Sequence, residues 1–128
     1  MEIPKLVSVD DSDHLLRRIP QNGISIDEST GQPRINRFAI QNGTDDDGNR
    51  TNDMSVSLEK LESLIDIKVR WEGNSIGQIV ASDCHAEKQE TLHVPEKGFH
   101  AHGHVSGHKS GGVRKRLSKK MILVHHEI

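Results

Sequence analysis

With 128 residues, a hydrophobic content of 32% and a formal net charge of −2, the chain has room for one domain, spanning 1–128, around a single modest core. No run reaches the roughly eighteen apolar residues of a membrane span, and the N-terminus has neither the basic start nor the apolar stretch of a signal peptide. The single cysteine, Cys84, rules out an intrachain disulfide and fits a reducing compartment, so no membrane association and a cytoplasmic location are expected.

Aromatic content is 2%, from Phe38, Trp71 and Phe99. So few large side chains limit the apolar area a core can bury, which points to a protein partner or self-association as a source of stability. Charge is uneven: residues 1–66 carry thirteen acids against seven bases, and residues 67–128 carry ten bases against six acids. That asymmetry suits an anionic ligand at the basic end, or pairing of unlike ends between subunits.

In chain order, residues 5–9 and 14–19 alternate as short strands around an acidic turn, and Pro20 ends the second. Within HLLRRIP, Arg17 and Arg18 project to opposite faces. A guanidinium on a strand offers a forked donor set to carboxylate or phosphate, which makes both candidate anion-binding residues. Residues 33–40 resume strand character, with Ile35, Phe38 and Ile40 as core candidates. Residues 41–53, QNGTDDDGNRTND, form a flexible acidic loop; it is not an EF-hand, because the twelfth position from Asp45 is Val56.

The alternation of MSVSL predicts a strand at 54–58. Leu58, Leu61, Leu64 and Ile65 then recur at helical spacing behind Ser57 as a cap, predicting a helix at 58–66. Residues 66–71 and 75–81 read as strands joined by a tight turn at 72–74, with Trp71 as the largest core anchor. Cys84 and His85, as neighbours on a strand, would point apart, which argues against a Cys–His pair between them. Cys84 is instead a candidate to pair with a distant histidine, or to join His100 and His102 on a metal. Residues 91–106 read as a hairpin that carries His93 toward the histidines beyond it, and 121–128 as a last strand.

The chemistry concentrates in residues 98–120, GFHAHGHVSGHKSGGVRKRLSKK. On a strand the spacing of His100, His102 and His104 places all three imidazoles on one face. These three are candidate catalytic acid–base groups, and also candidate ligands for a transition metal such as zinc if a further ligand comes from elsewhere. Residues 107–121 form a basic loop and helix, with Val113, Leu117 and Met121 on its apolar stripe and Ser110 as its cap. Lys109, Arg114, Lys115, Arg116, Lys119 and Lys120 make it a candidate anion-binding surface. It is not a Walker loop, since His108 stands where the glycine before the lysine belongs.

Signatures of zincins, cupins, RNA-recognition motifs, two-Cys two-His fingers and α/β-hydrolases are absent. An arginine-bearing first strand, a serine strand and a later histidine strand are similar in outline to compact ADP-ribosyl-transfer folds. The glutamate context such folds need is not identifiable here, and no family is assigned.

The expected fold is α+β, with mostly antiparallel short strands and two helices. The leading functional expectation is an accessory or binding subunit of a larger assembly, touching nucleic acid or a nucleotide through the histidine strand and the basic helix. The alternatives are a small histidine-dependent enzyme acting on phosphoester or nucleotide bonds, with Arg17 or Arg18 holding substrate charge, and a structural homo-oligomer.

Overall fold

The computed structural model describes residues 5–127. Its strands are β1 (His14–Ile19), β2 (Ile24–Ile26), β3 (Pro33–Ile35), β4 (Asp53–Leu58), β5 (Ser75–Val80), β6 (Glu90–His93), β7 (His102–Ser106) and β8 (Ile122–His125), and its helices are α1 (Leu64–Arg70), α2 (Ala81–His85) and α3 (Gly111–Lys120). Six strands form one sheet in the order β6-β7-β4-β1-β5-β8, and β2 pairs with β3 in a two-stranded ribbon. Every pairing is antiparallel, and the fold is α+β.

Side-chain alternation divides the sheet into two faces. One carries Leu15, Ile19, Met54, Val56, Leu58, Ile79 and Val105, which pack with Cys84 of α2 and Leu117 of α3 into the main core. The other carries Leu16 and Ile76, covered by Ile67 of α1 with Trp71, Phe99 and Val124 half-buried beside them. Each fully buried Leu or Ile contributes about 1.5–3 kcal/mol, so the larger cluster holds most of the stability. The thinner cover on the second face leaves part of the sheet open.

Several local expectations are corrected. Residues 5–9 are not a strand; they are irregular chain held by the Val7 N–H on His93 Nδ1 (3.0 Å) and by Lys60 Nζ on the Ser8 carbonyl (2.6 Å). The helix expected at 58–66 begins later. Leu58 stays in β4 opposite Leu15, and Ser63 caps α1 by accepting from the Asp66 N–H (3.4 Å).

That helix runs through residues read as a strand at 66–71. The alternating Ile65, Ile67 and Val69 imitate a strand, but Ile67 is buried while Ile65 and Val69 are 77% and 75% exposed. The inward stripe is Leu64, Ile67 and Trp71, which is helical spacing. Residues 83–85 likewise lie in a helix rather than a strand, and after Ile35 the chain turns at Arg37–Ala39, leaving Phe38 exposed beneath the Arg37 guanidinium. The last strand is confined to Ile122–His125, and Ile128 lies outside the described residues.

Candidate functional site

The open part of the second face is where polar side chains collect. Ser57 pairs with His102 and Ser55 with His104, so β4 and β7 present two hydroxyls and two imidazoles on one surface. Leu16 pairs with Ser57, and continuing that register sets Arg18 beside Ser55. Trp71, at the end of α1, and the loop carrying Glu96 and Phe99 wall this surface into a cleft of about 230 Å³. Phe99 stands edge-on to Trp71 (ring centroids 6.3 Å apart) and to His102 (5.4 Å), with the Arg70 guanidinium 4.1 Å from its centroid.

His102 is buried, and its contacts define its tautomer. Nδ1 lies 2.8 Å from the Val94 carbonyl, which can only accept, so the proton of the neutral ring sits on Nδ1. The lone pair on Nε2 then faces Ser55 Oγ at 3.2 Å, and the serine hydroxyl donates to it. Glu96 Oε1 is 3.7 Å from Nδ1, where a carboxylate stabilises the ring once it is protonated. Ser55 itself is exposed. The result is an accessible hydroxyl hydrogen-bonded to an oriented imidazole, with Arg18 exposed in the same cleft.

His104 shares the face of His102, with ring centroids 5.0 Å apart, and its Nδ1 lies 3.8 Å from Asp53 Oδ2. Burial holds its pKa below the ordinary histidine value, against the opposing pull of Asp53. Between the free and the lowered value the unfolded chain binds more protons, so stability is complete above about pH 6.5 and falls as pH drops below it. Urea midpoints measured from pH 8 to pH 5 should decline over that window, and His104→Gln should flatten the decline.

His100 does not join this pair. It sits in the turn before β7, exposed, with its carbonyl accepting from His93 Nε2 (2.7 Å). His93 points to the other face, its Nδ1 occupied by the Val7 N–H. Among the described residues, no group of three or more His, Cys, Asp or Glu side chains is gathered to hold a metal ion. Cys84 is buried in the main core, and burial pushes its thiol up to about 12, which makes it a poor nucleophile at neutral pH.

The expected anion-binding residues divide sharply. Arg17 is spent inside the fold: Nη1 donates to the Ser55 carbonyl (2.9 Å) and Nε to the Ala39 carbonyl (3.3 Å), and burial, with Arg18 adjacent, lowers its pKa to about 10. It therefore positions the backbone of Ser55. Lys109 is buried, its ammonium donating to Asn42 Oδ1 and to the carbonyls of Asn52, Val105 and Gly107 at 2.6–3.2 Å.

Arg114 is half-buried, with a solvent-excluded Nε that finds no partner among the described residues. Arg116 pairs with Glu87 (2.9 Å). Lys115, Lys119 and Lys120 are exposed on α3. Leu117 packs into the main core, so α3 lies across the sheet from His102 and His104.

Ser55, Glu96, Trp71 and Phe99 were not marked as site residues by sequence reasoning. The available signal was the MSVSL alternation, which turns both serines away from the apolar face. A larger depression of about 680 Å³ between Ile24, Asn74 and His126 is a weaker candidate, because its buried hydroxyl, Ser75 Oγ, already accepts from the Glu127 N–H (2.9 Å).

With this geometry established, comparison of the chain with protein-family models, curated proteins and solved structures finds no match. Among the described residues, no helix is long and apolar enough to cross a membrane.

Proposed function

We propose that the cleft is the active site of a small histidine-dependent enzyme acting on a phosphoester. The observation that carries this reading is the fixed tautomer of His102, which aims an unprotonated Nε2 at the exposed Ser55 hydroxyl beside Arg18. His102 takes the Ser55 proton as Oγ bonds to phosphorus, then returns it to the departing ester oxygen. Water, deprotonated by the same Nε2, then attacks phosphorus, the P–Oγ bond breaks to release phosphate, and the proton passes from Nε2 to Ser55 Oγ. Arg18 neutralises the non-bridging oxygens, and Glu96 stabilises the transient imidazolium.

A fluorophosphonate tests the pair without a known substrate, because the activated serine displaces fluoride and gains a measurable mass. Wild-type protein should be labelled at Ser55, and His102→Gln should slow labelling about 100-fold or more at temperatures where circular dichroism shows the variant folded. Equal labelling of wild type and variant would remove the proposal.

A second reading, a binding subunit for nucleic acid, draws on Lys115, Lys119 and Lys120, which are exposed and form no ion pair among the described residues. It involves α3 alone, since the histidine pair faces the other way. Duplex DNA affinity should then fall steeply between 50 and 200 mM salt, and the triple alanine variant should lose it. Salt-independent binding would exclude this reading.

A further inference from the structure

Resting on the reading of this cleft as the functional site, we infer that its ligand is a nucleoside monophosphate. The chain has only three aromatic residues, and two of them, Trp71 and Phe99, stand on this one wall. In the fold they pack on the smaller cluster without being enclosed by it. The main core is aliphatic, whereas both rings are half-buried at the rim of the smaller cluster. One face of Phe99 is taken by the Arg70 guanidinium, which leaves Trp71 as the surface on which a planar base can stack.

The polar groups complete the description. Arg18 is the exposed cation of the cleft, whereas the Arg17 donors are spent on backbone carbonyls. One guanidinium matches one phosphate group. Glu96, with 59% of its side chain exposed, accepts from ribose hydroxyls or an exocyclic amine and repels a second phosphate. A cleft of about 230 Å³, below the roughly 300–1,000 Å³ usual for drug-sized ligands, has no room for a dinucleotide, and a mononucleotide would fill it with part of its base or ribose left in solvent. An ordinary phosphate site would need neither the aromatic wall nor the carboxylate.

Trp71 is the only tryptophan, so its fluorescence reports from the cleft itself. In Ser55→Ala protein, adenosine 5′-monophosphate should quench it saturably with a Kd below about 1 mM, and adenosine should bind about tenfold more weakly or worse. Arg18→Gln should bring the two ligands to equal affinity. Absence of saturable quenching by the monophosphate, or equal binding of adenosine while Arg18 is intact, overturns the inference. So does inorganic phosphate that displaces the monophosphate at the same concentration, which would show a simple anion site.

Fluorophosphonate labelling of wild-type protein separates the two claims. Labelling that depends on His102 without nucleotide binding leaves the catalytic pair standing and removes the ligand class. Nucleotide binding without labelling upholds the ligand and removes the chemistry.

Discussion

Lys109→Met is expected to destabilise the protein by about 3 kcal/mol, a large share of the roughly 5–15 kcal/mol available to a domain of this size. Lys109 is 4% exposed, and its ammonium donates to four oxygens. Those oxygens come from two places, Asn42 and Asn52 at the ends of the acidic loop and Val105 and Gly107 at the end of β7, which are also tied by the Gly107 N–H on the Asn52 carbonyl (2.8 Å) and by Asn42 Nδ2 on the Gly107 carbonyl (3.4 Å). Methionine keeps the apolar stem and ends one atom short of the ammonium, so packing is nearly preserved and the loss is mainly that of the hydrogen bonds.

Charge-assisted bonds contribute about 1.5–3 kcal/mol each when deleted singly, but here they share one charge, and their sum is offset by relief of its desolvation. Burial is the larger influence on Lys109 and lowers its pKa to about 8, with Asp53 opposing, so the side chain is still mainly charged at pH 7. Urea denaturation at that pH measures the effect. A loss below about 1 kcal/mol would mean that water takes over the four acceptors.

This residue also shows where sequence reading stops. In GHKSGGVRKRLSKK, Lys109 looks like one more member of a basic surface, because nothing local distinguishes a lysine that reaches four oxygens from one that reaches solvent. Its acceptors lie as far as 67 residues away in the chain. The same limit explains Ser55. Its meeting with His102 depends on the pairing of β4 with β7, 47 residues apart, and a one-residue change of register would send both serines to the core.

What alternation alone conveys was legible: the antiparallel strands, the α+β class, the Ser110 cap of α3, which accepts from the Val113 N–H (3.2 Å), and the shared face of His102 and His104. The helix at 64–70 was not, since its exposed Ile65 and Val69 imitate the period of a strand. Arg18 and His102 were singled out separately by residue type. Only the fold shows that they share a cleft, and that the basic helix does not.

The glycine between the two histidines of β7 carries the other large expectation. A methyl group on Gly103 would lie 2.6 Å from the Leu92 carbonyl oxygen and 3.1 Å from Leu58 Cδ2. The leucine side chain can rotate away; the carbonyl belongs to β6 and moves only if the strand moves. Gly103→Ala should therefore cost about 3 kcal/mol, the upper end of overpacking penalties, by prising β6 from β7 at the His93–Gly103 pair.

Gly98→Ala is the informative control. Gly98 has a φ of +78° but open space around its Cβ position, so alanine there pays only the backbone preference, about 1 kcal/mol. The two variants also differ at the site. Val94, which orients the His102 ring, follows directly on β6, so displacing β6 shifts the carbonyl that holds the tautomer and lengthens the approach to Ser55. Gly103→Ala should lose fluorophosphonate reactivity even at temperatures where it remains folded, whereas Gly98→Ala should keep it. If Gly103→Ala retains both stability and reactivity, β6 and β7 are not pinched at this point, and the glycine in the HGH sequence is not required by the strand contact.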